Sequence, residues 1–217
     1  MNRTFTRIVG ILICCAVAQT LVGYLGHSPL LVYIFKPLAT FLVLGIALPN
    51  WISQKQNYAL WICVGLFCSL AGDILLIWPE RLFAVGLGIF LLAHFAYLAA
   101  FTRDVKFPAN WFIWLAFLAL AAAGFLVLKP NLPSGLALPV AVYSLALATM
   151  TAQSVGRALR LHSSTAKLAA IGAMCFLLSD SLLAWDRFQH PIVLAPVAIL
   201  IPYYVAQMLF ALSTNIA

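Results

Sequence analysis

Polar positions are too sparse along most of this chain to make a second face on any helix. Apolar side chains instead run for about twenty residues at a time, broken by short clusters of charge, proline and glycine. Runs of that length predict membrane-crossing helices, since a rise of about 1.5 Å per residue spans roughly 30 Å of hydrocarbon. Eight are readable, over residues 7–24, 30–48, 58–78, 82–101, 111–128, 135–151, 166–185 and 192–212. A membrane barrel is disfavoured, because its strands alternate apolar and polar residues over about ten-residue segments. The pattern predicts an all-α membrane protein of eight transmembrane helices, a single polytopic domain over residues 1–217.

Within these runs one pattern occurs twice. Cys68, Asp73, Leu75, Leu76 and Trp78 recur as Cys175, Asp180, Leu182, Leu183 and Trp185, each 107 positions further on. The same offset carries Tyr97 onto Tyr204. It maps the third helix on the seventh and the fourth on the eighth, so corresponding helices point the same way. A four-plus-four parallel repeat about an axis along the membrane normal is the expected architecture. On the helix bounds read above, each aspartate lies about 8 Å from the end of its helix.

Composition agrees: 65% of residues are hydrophobic and 8% charged, more apolar surface than one water-soluble core can bury. The net charge of +7 follows from 12 basic and 5 acidic residues. Its distribution argues against nucleic acid, because the basic residues sort by loop parity and leave no stripe interleaved with aromatics. Arg3, Arg7, Lys55, Arg103, Lys106, Arg157, Arg160 and Lys167 fall on one side, and Arg81, Lys129 and Arg187 on the other. By the positive-inside rule both termini are expected in the cytoplasm, as in a bacterial inner membrane or an equivalent energised bilayer. The first run also has signal-peptide features, with Arg3 and Arg7 ahead of the apolar stretch and Ala16-Val17-Ala18 as a cleavage site. Hydrophobicity continues through Tyr24, so a retained span is expected. Cys14, Cys15, Cys63, Cys68 and Cys175 all lie in predicted spans and read as packing residues.

Loops are short, so any chemistry is expected inside the membrane. Asp73 and Asp180 are the leading candidates, since a carboxylate in an apolar span costs roughly 2.5–3.5 kcal/mol on insertion scales. Two carboxyls in one pocket can work as a protonated donor and an ionised partner. Their alternative is an interhelical hydrogen-bond anchor. Lys36, followed by Pro37, either snorkels to the interface or enters the site, pairing with an aspartate or binding an anionic headgroup such as phosphate. Tyr33 lies one turn before it, and His94 and Tyr97 share a helix face, as do Tyr203 and Gln207, with Tyr204 beside them. These seven are candidate substrate contacts around the carboxylate pair, in one cavity holding Lys36, Asp73, His94 and Asp180.

No ligand pair has zinc-type spacing, so neither a metal nor another cofactor is expected. Ser179 and Ser181 flank Asp180 without a nucleophile elbow. Glu80, Arg81, Asp186 and Arg187 fall at helix ends and read as solvated charges.

The segments around Gly72-Asp73, Pro79-Glu80-Arg81, Ala93-His94-Phe95-Ala96-Tyr97 and Ser179-Asp180, with Lys36-Pro37, together resemble the YhhN-like lysoplasmalogenase family of membrane proteins. That resemblance implies an eight-helix enzyme hydrolysing the vinyl ether bond of lysoplasmalogens. Its products are a fatty aldehyde and glycerophosphoethanolamine or glycerophosphocholine. The family's two aspartates map onto Asp73 and Asp180. The implied partners are a lysophospholipid substrate and the bilayer itself. Two other readings remain open on the residues alone: a proton-coupled small-molecule or lipid transporter, and a scaffold with polar anchors.

Overall fold

The computed structural model describes residues 3–215, and among them eight helices are long and apolar enough to cross a membrane. They are α1 (Arg3–Leu25), α2 (Pro29–Gln54), α3 (Asn57–Leu75), α4 (Pro79–Phe101), α5 (Trp111–Leu128), α6 (Ala137–Leu161), α7 (Ser164–Phe188) and α8 (Ala195–Ser213). The chain is a multi-pass integral membrane protein, all-helical as its hydrophobic pattern predicts.

The largest departures from the predicted bounds come at polar residues that look like stops and are not. α6 runs ten residues beyond Thr151. Much of its polar extension is buried: Gln153 accepts from the Ala109 amide at 2.8 Å and donates to the Phe101 and Val105 carbonyls. Arg157, expected in a loop, instead grips Asp104 through Nε and Nη2 at 2.7 and 2.6 Å and covers the Tyr58 ring. α2 likewise continues through Pro49, and the buried Asn50 donates to Thr214 at 2.9 Å.

α3 ends earlier than predicted. Pro79 opens α4 at a position where its missing N–H is harmless, and the residue before a proline disfavours helical geometry. No proline follows α7 until Pro191, so that helix runs on to Phe188. The two aspartates therefore sit differently from the equal spacing expected of them. Asp73 lies two residues from the end of α3 and Asp180 eight residues from the end of α7, about 3 and 12 Å along the axis.

Six helices close a ring in the order α2, α3, α4, α6, α7, α8, with α8 returning to α2. Outside it, α1 lies against α2 and α8, and α5 lies mainly against α6. Phe176 of α7 stands in the centre, its ring meeting those of Phe90, His94, Tyr97, Tyr203 and Phe210 at centroid distances of 5.0–6.3 Å. One end of the ring is closed by Gln153, by the Arg157–Asp104 pair, and by Tyr58 bonded to Ser213 at 2.7 Å. The other end is open, and both aspartates are there.

Candidate active site

A cavity of about 320 Å³ enters the ring from its open end, and Lys36, Asp73, Phe90, Tyr143, Asp180 and Tyr203 are among the residues lining it. Each comes from a different helix of the ring, so closure of the bundle assembles the site. Asp73 is 2% exposed. Its Oδ2 accepts from the Thr40 hydroxyl at 2.5 Å and the Tyr203 hydroxyl at 2.7 Å. Lys36 lines the same cavity without forming a salt bridge to Asp73. Lys36 does not snorkel: it is 5% exposed, and its Nζ lies 3.5 Å from the Leu76 carbonyl.

Asp180 is partly buried and its surroundings are poorer in donors. Its Oδ2 accepts from the Tyr143 hydroxyl at 2.5 Å, and His94 Nε2 is 3.7 Å away, beyond hydrogen-bond range. His94 is fully buried, and neither ring nitrogen has a hydrogen-bond partner. The imidazole is held edge-on by Tyr143 at 4.8 Å and Phe176 at 5.0 Å. An uninterrupted aromatic path therefore joins the two carboxyl environments: Tyr203 meets Phe176, Phe176 meets His94, and His94 meets Tyr143.

Phe90 lies beside this path, 5.9 Å from Tyr203, and reaches the cavity because residue 72 is glycine. A Cβ on Gly72 would stand 2.6 Å from the Phe90 ring.

The other sequence candidates divide by position. Tyr97 is fully buried away from the cavity wall, donating to Gln207 at 2.7 Å and lying 3.2 Å from the Ser69 hydroxyl, so Tyr97 and Gln207 tie α3, α4 and α8 together. Tyr204 donates to the Lys36 carbonyl at 3.0 Å and steadies α2. Tyr33 does not share the inward face of Lys36; it is half exposed, with its ring 5.5 Å from that of Trp78. Cys14 and Cys15 lie on the exposed side of α1 rather than in packing.

Four polar residues escaped sequence reasoning. Thr40 and Tyr143 bond the carboxylates directly. Asp186 and Arg187, read as solvated end charges, line the cavity mouth. Arg187 pairs with Glu80 at 3.0 Å, and Asp186 accepts from the Ile192 amide at 2.7 Å. Tyr143 had a signal, since it stands 107 positions after Lys36.

The YhhN family model matches residues 31–214, which include Lys36, Thr40, Asp73, Tyr143, Asp180 and Tyr203. The chain belongs to the YhhN family. Relatives of the chain include "Lysoplasmalogenase TMEM86B" of Rattus norvegicus, 36% identical over 172 residues that make up 79% of this chain and 69% of the relative. "Lysoplasmalogenase TMEM86A" of Homo sapiens is 30% identical over 218 residues, 87% of this chain and 89% of the relative. "Lysoplasmalogenase" of Mycobacterium tuberculosis is 31% identical over 170 residues, 75% of this chain and 62% of the relative. No solved structure matches. Among the described residues, no group of three or more His, Cys, Asp or Glu side chains is arranged to hold a metal ion.

Proposed function

We propose that this YhhN-family protein hydrolyses the vinyl ether bond of lysoplasmalogens, with Asp180 as the proton donor and Asp73 as the carboxylate that stabilises and then deprotonates. One observation carries the reading: two carboxyls line one intramembrane cavity but have unequal partners. Asp73 accepts from two hydroxyl donors in the cavity that Lys36 also lines; Asp180 accepts from one. Hydrogen bonds and a nearby cation favour an ionised carboxylate, whereas a carboxyl beside apolar walls keeps its proton more readily.

Vinyl ether hydrolysis begins with transfer of a proton to carbon. Asp180 gives its proton to the carbon two bonds from the ether oxygen, and the adjacent carbon becomes an oxocarbenium ion. Asp73 offsets that positive charge, helped by the electron-rich faces of Phe90 and Tyr203. Water then adds to the cation while Asp73 takes one of its protons, giving a hemiacetal. Collapse of the hemiacetal releases the aldehyde and the glycerol hydroxyl. In balance one water is consumed, and the proton held by Asp73 returns to Asp180 through solvent in the cavity. Lys36 and Arg187 supply positive charge for the substrate phosphate.

The order of the ring supports a four-plus-four reading of the chain, because α2, α3 and α4 are followed around it by α6, α7 and α8, and the equivalent positions Lys36 and Tyr143 line the same cavity. We also place both termini in the cytoplasm, on the basic-loop asymmetry, with the cavity mouth on the opposite face. The named relatives lend the transporter alternative no support.

The test is aldehyde release from a 1-alkenyl lysophosphatidylcholine and its ethanolamine counterpart by the purified protein in detergent. Turnover is expected with no ion gradient. Lipid accumulation in sealed vesicles without aldehyde would instead make the protein a carrier. Gly72→Ala tests the wall: the new methyl drives the Phe90 ring toward the cavity at a cost of about 1–3 kcal/mol. The expected result is a lower melting temperature together with slower aldehyde release, and an unchanged rate would remove Phe90 from the mechanism.

A further inference from the structure

A second cavity of about 490 Å³ runs between α5 and α7, and it meets the first at Tyr143 and Asp180. Its walls are apolar: Asp180 is the only carboxyl among the residues lining it. The groove exists because α5 stands outside the ring, with Leu128 its one buried residue, and seats mainly on α6. On its α5 side Gly124 leaves open space, with nothing within 4 Å of where a Cβ would be. Along its α7 side Met174, Leu178 and Trp185 are half exposed, so it opens sideways toward lipid.

We infer that this groove holds the substrate's hydrocarbon chain, and that the lysolipid reaches Asp180 laterally from the bilayer. The inference rests on the hydrolase reading above, which it extends from the reacting atoms to the chain. A 1-alkenyl lysophospholipid has a charged head, one reactive carbon pair and one long apolar tail. The two cavities match that order, with Lys36 and Arg187 in the first, Asp180 at the junction and a hydrocarbon slot in the second. Both volumes suit a small ligand, whose sites commonly measure about 300–1,000 Å³. A tail leaving lipid for an apolar groove gains little free energy, because both surroundings are hydrocarbon. The slot therefore positions the vinyl ether at Asp180 by shape, and filling it should act by exclusion.

Gly124→Trp fills the slot from a helix that contributes almost nothing to the core. The first arm compares kcat/KM for long-chain and short-chain 1-alkenyl lysophosphatidylcholine. The long-to-short ratio is expected to fall at least tenfold in Gly124→Trp and to stay unchanged in Ile11→Trp, on the exposed face of α1. The second arm needs no turnover: a 1-alkyl lysophosphatidylcholine with a diazirine at the chain end is photolysed with the wild type. Labelling is expected in peptides covering residues 117–128 and 174–188, and its loss is expected in Gly124→Trp. Label spread over the lipid-facing sides of α1 and α2, or undiminished by Gly124→Trp, overturns the groove. Groove labelling by a wild type that releases no aldehyde keeps the chain site and overturns the hydrolase reading instead.

Discussion

Asp180→Asn is expected to keep the fold and lose the reaction. The amide has nearly the shape of the carboxyl and still accepts the Tyr143 hydroxyl bond, so the melting temperature in detergent should change little. What disappears is the proton that must reach carbon. Losing an acid–base group typically slows turnover by roughly 10²–10⁴-fold, and aldehyde release by Asp180→Asn should fall within that range. The neighbouring His94 cannot substitute without moving, since its Nε2 is 3.7 Å from the carboxyl and the ring is wedged between Tyr143 and Phe176. A folded Asp180→Asn protein with wild-type turnover would eliminate Asp180 as the donor.

Asp73→Asn should damage both stability and rate, which sets it apart. Lys36 is buried in the same cavity as Asp73 without a salt bridge to it, and Asp73→Asn leaves that ammonium with no carboxylate close by; breaking a buried pair in full contact commonly costs about 3–5 kcal/mol. Some of that is spared here, because the Leu76 carbonyl also faces the ammonium, so roughly 2–4 kcal/mol is expected. Turnover should fall by a further factor of roughly 10²–10⁴. The informative variant is the double one, Asp73→Asn with Lys36→Met. It no longer buries an isolated cation and should recover most of the melting temperature while aldehyde release stays low. Recovery of turnover along with stability would reduce Asp73 to a partner for Lys36.

Thr40 shows why half of the site was invisible beforehand. Thr20 and Thr151 also lie in apolar helices, and each returns its hydroxyl to the carbonyl four residues back in its own helix, Thr151 with a longer reach of 3.5 Å to the Ala173 carbonyl. Thr40 sends its hydroxyl across to Asp73. Nothing local distinguishes the three, because the choice depends on what the neighbouring helix presents. Arg157 gives the same lesson at the closed end. A guanidinium after a polar stretch reads as a loop charge, and only the approach of Asp104 and Tyr58 makes it part of a buried helix.

The sequence by itself determined eight spans and a pair of intramembrane carboxyls. Both are matters of local composition: an apolar run of that length must satisfy its backbone internally, and a charge within it is conspicuous wherever the helix packs. Tertiary structure alone decided which helices form the ring and which stand outside it. It turned Lys36 inward and Tyr33 outward, withdrew Tyr97 and Gln207 from the cavity, and brought Asp186 and Arg187 to its mouth. Those outcomes depend on contacts between residues far apart in the chain. In an almost uniformly apolar sequence, hydrophobic pattern does not tell a lipid-facing side from a partner-facing one, so close packing and the few polar side chains choose between them.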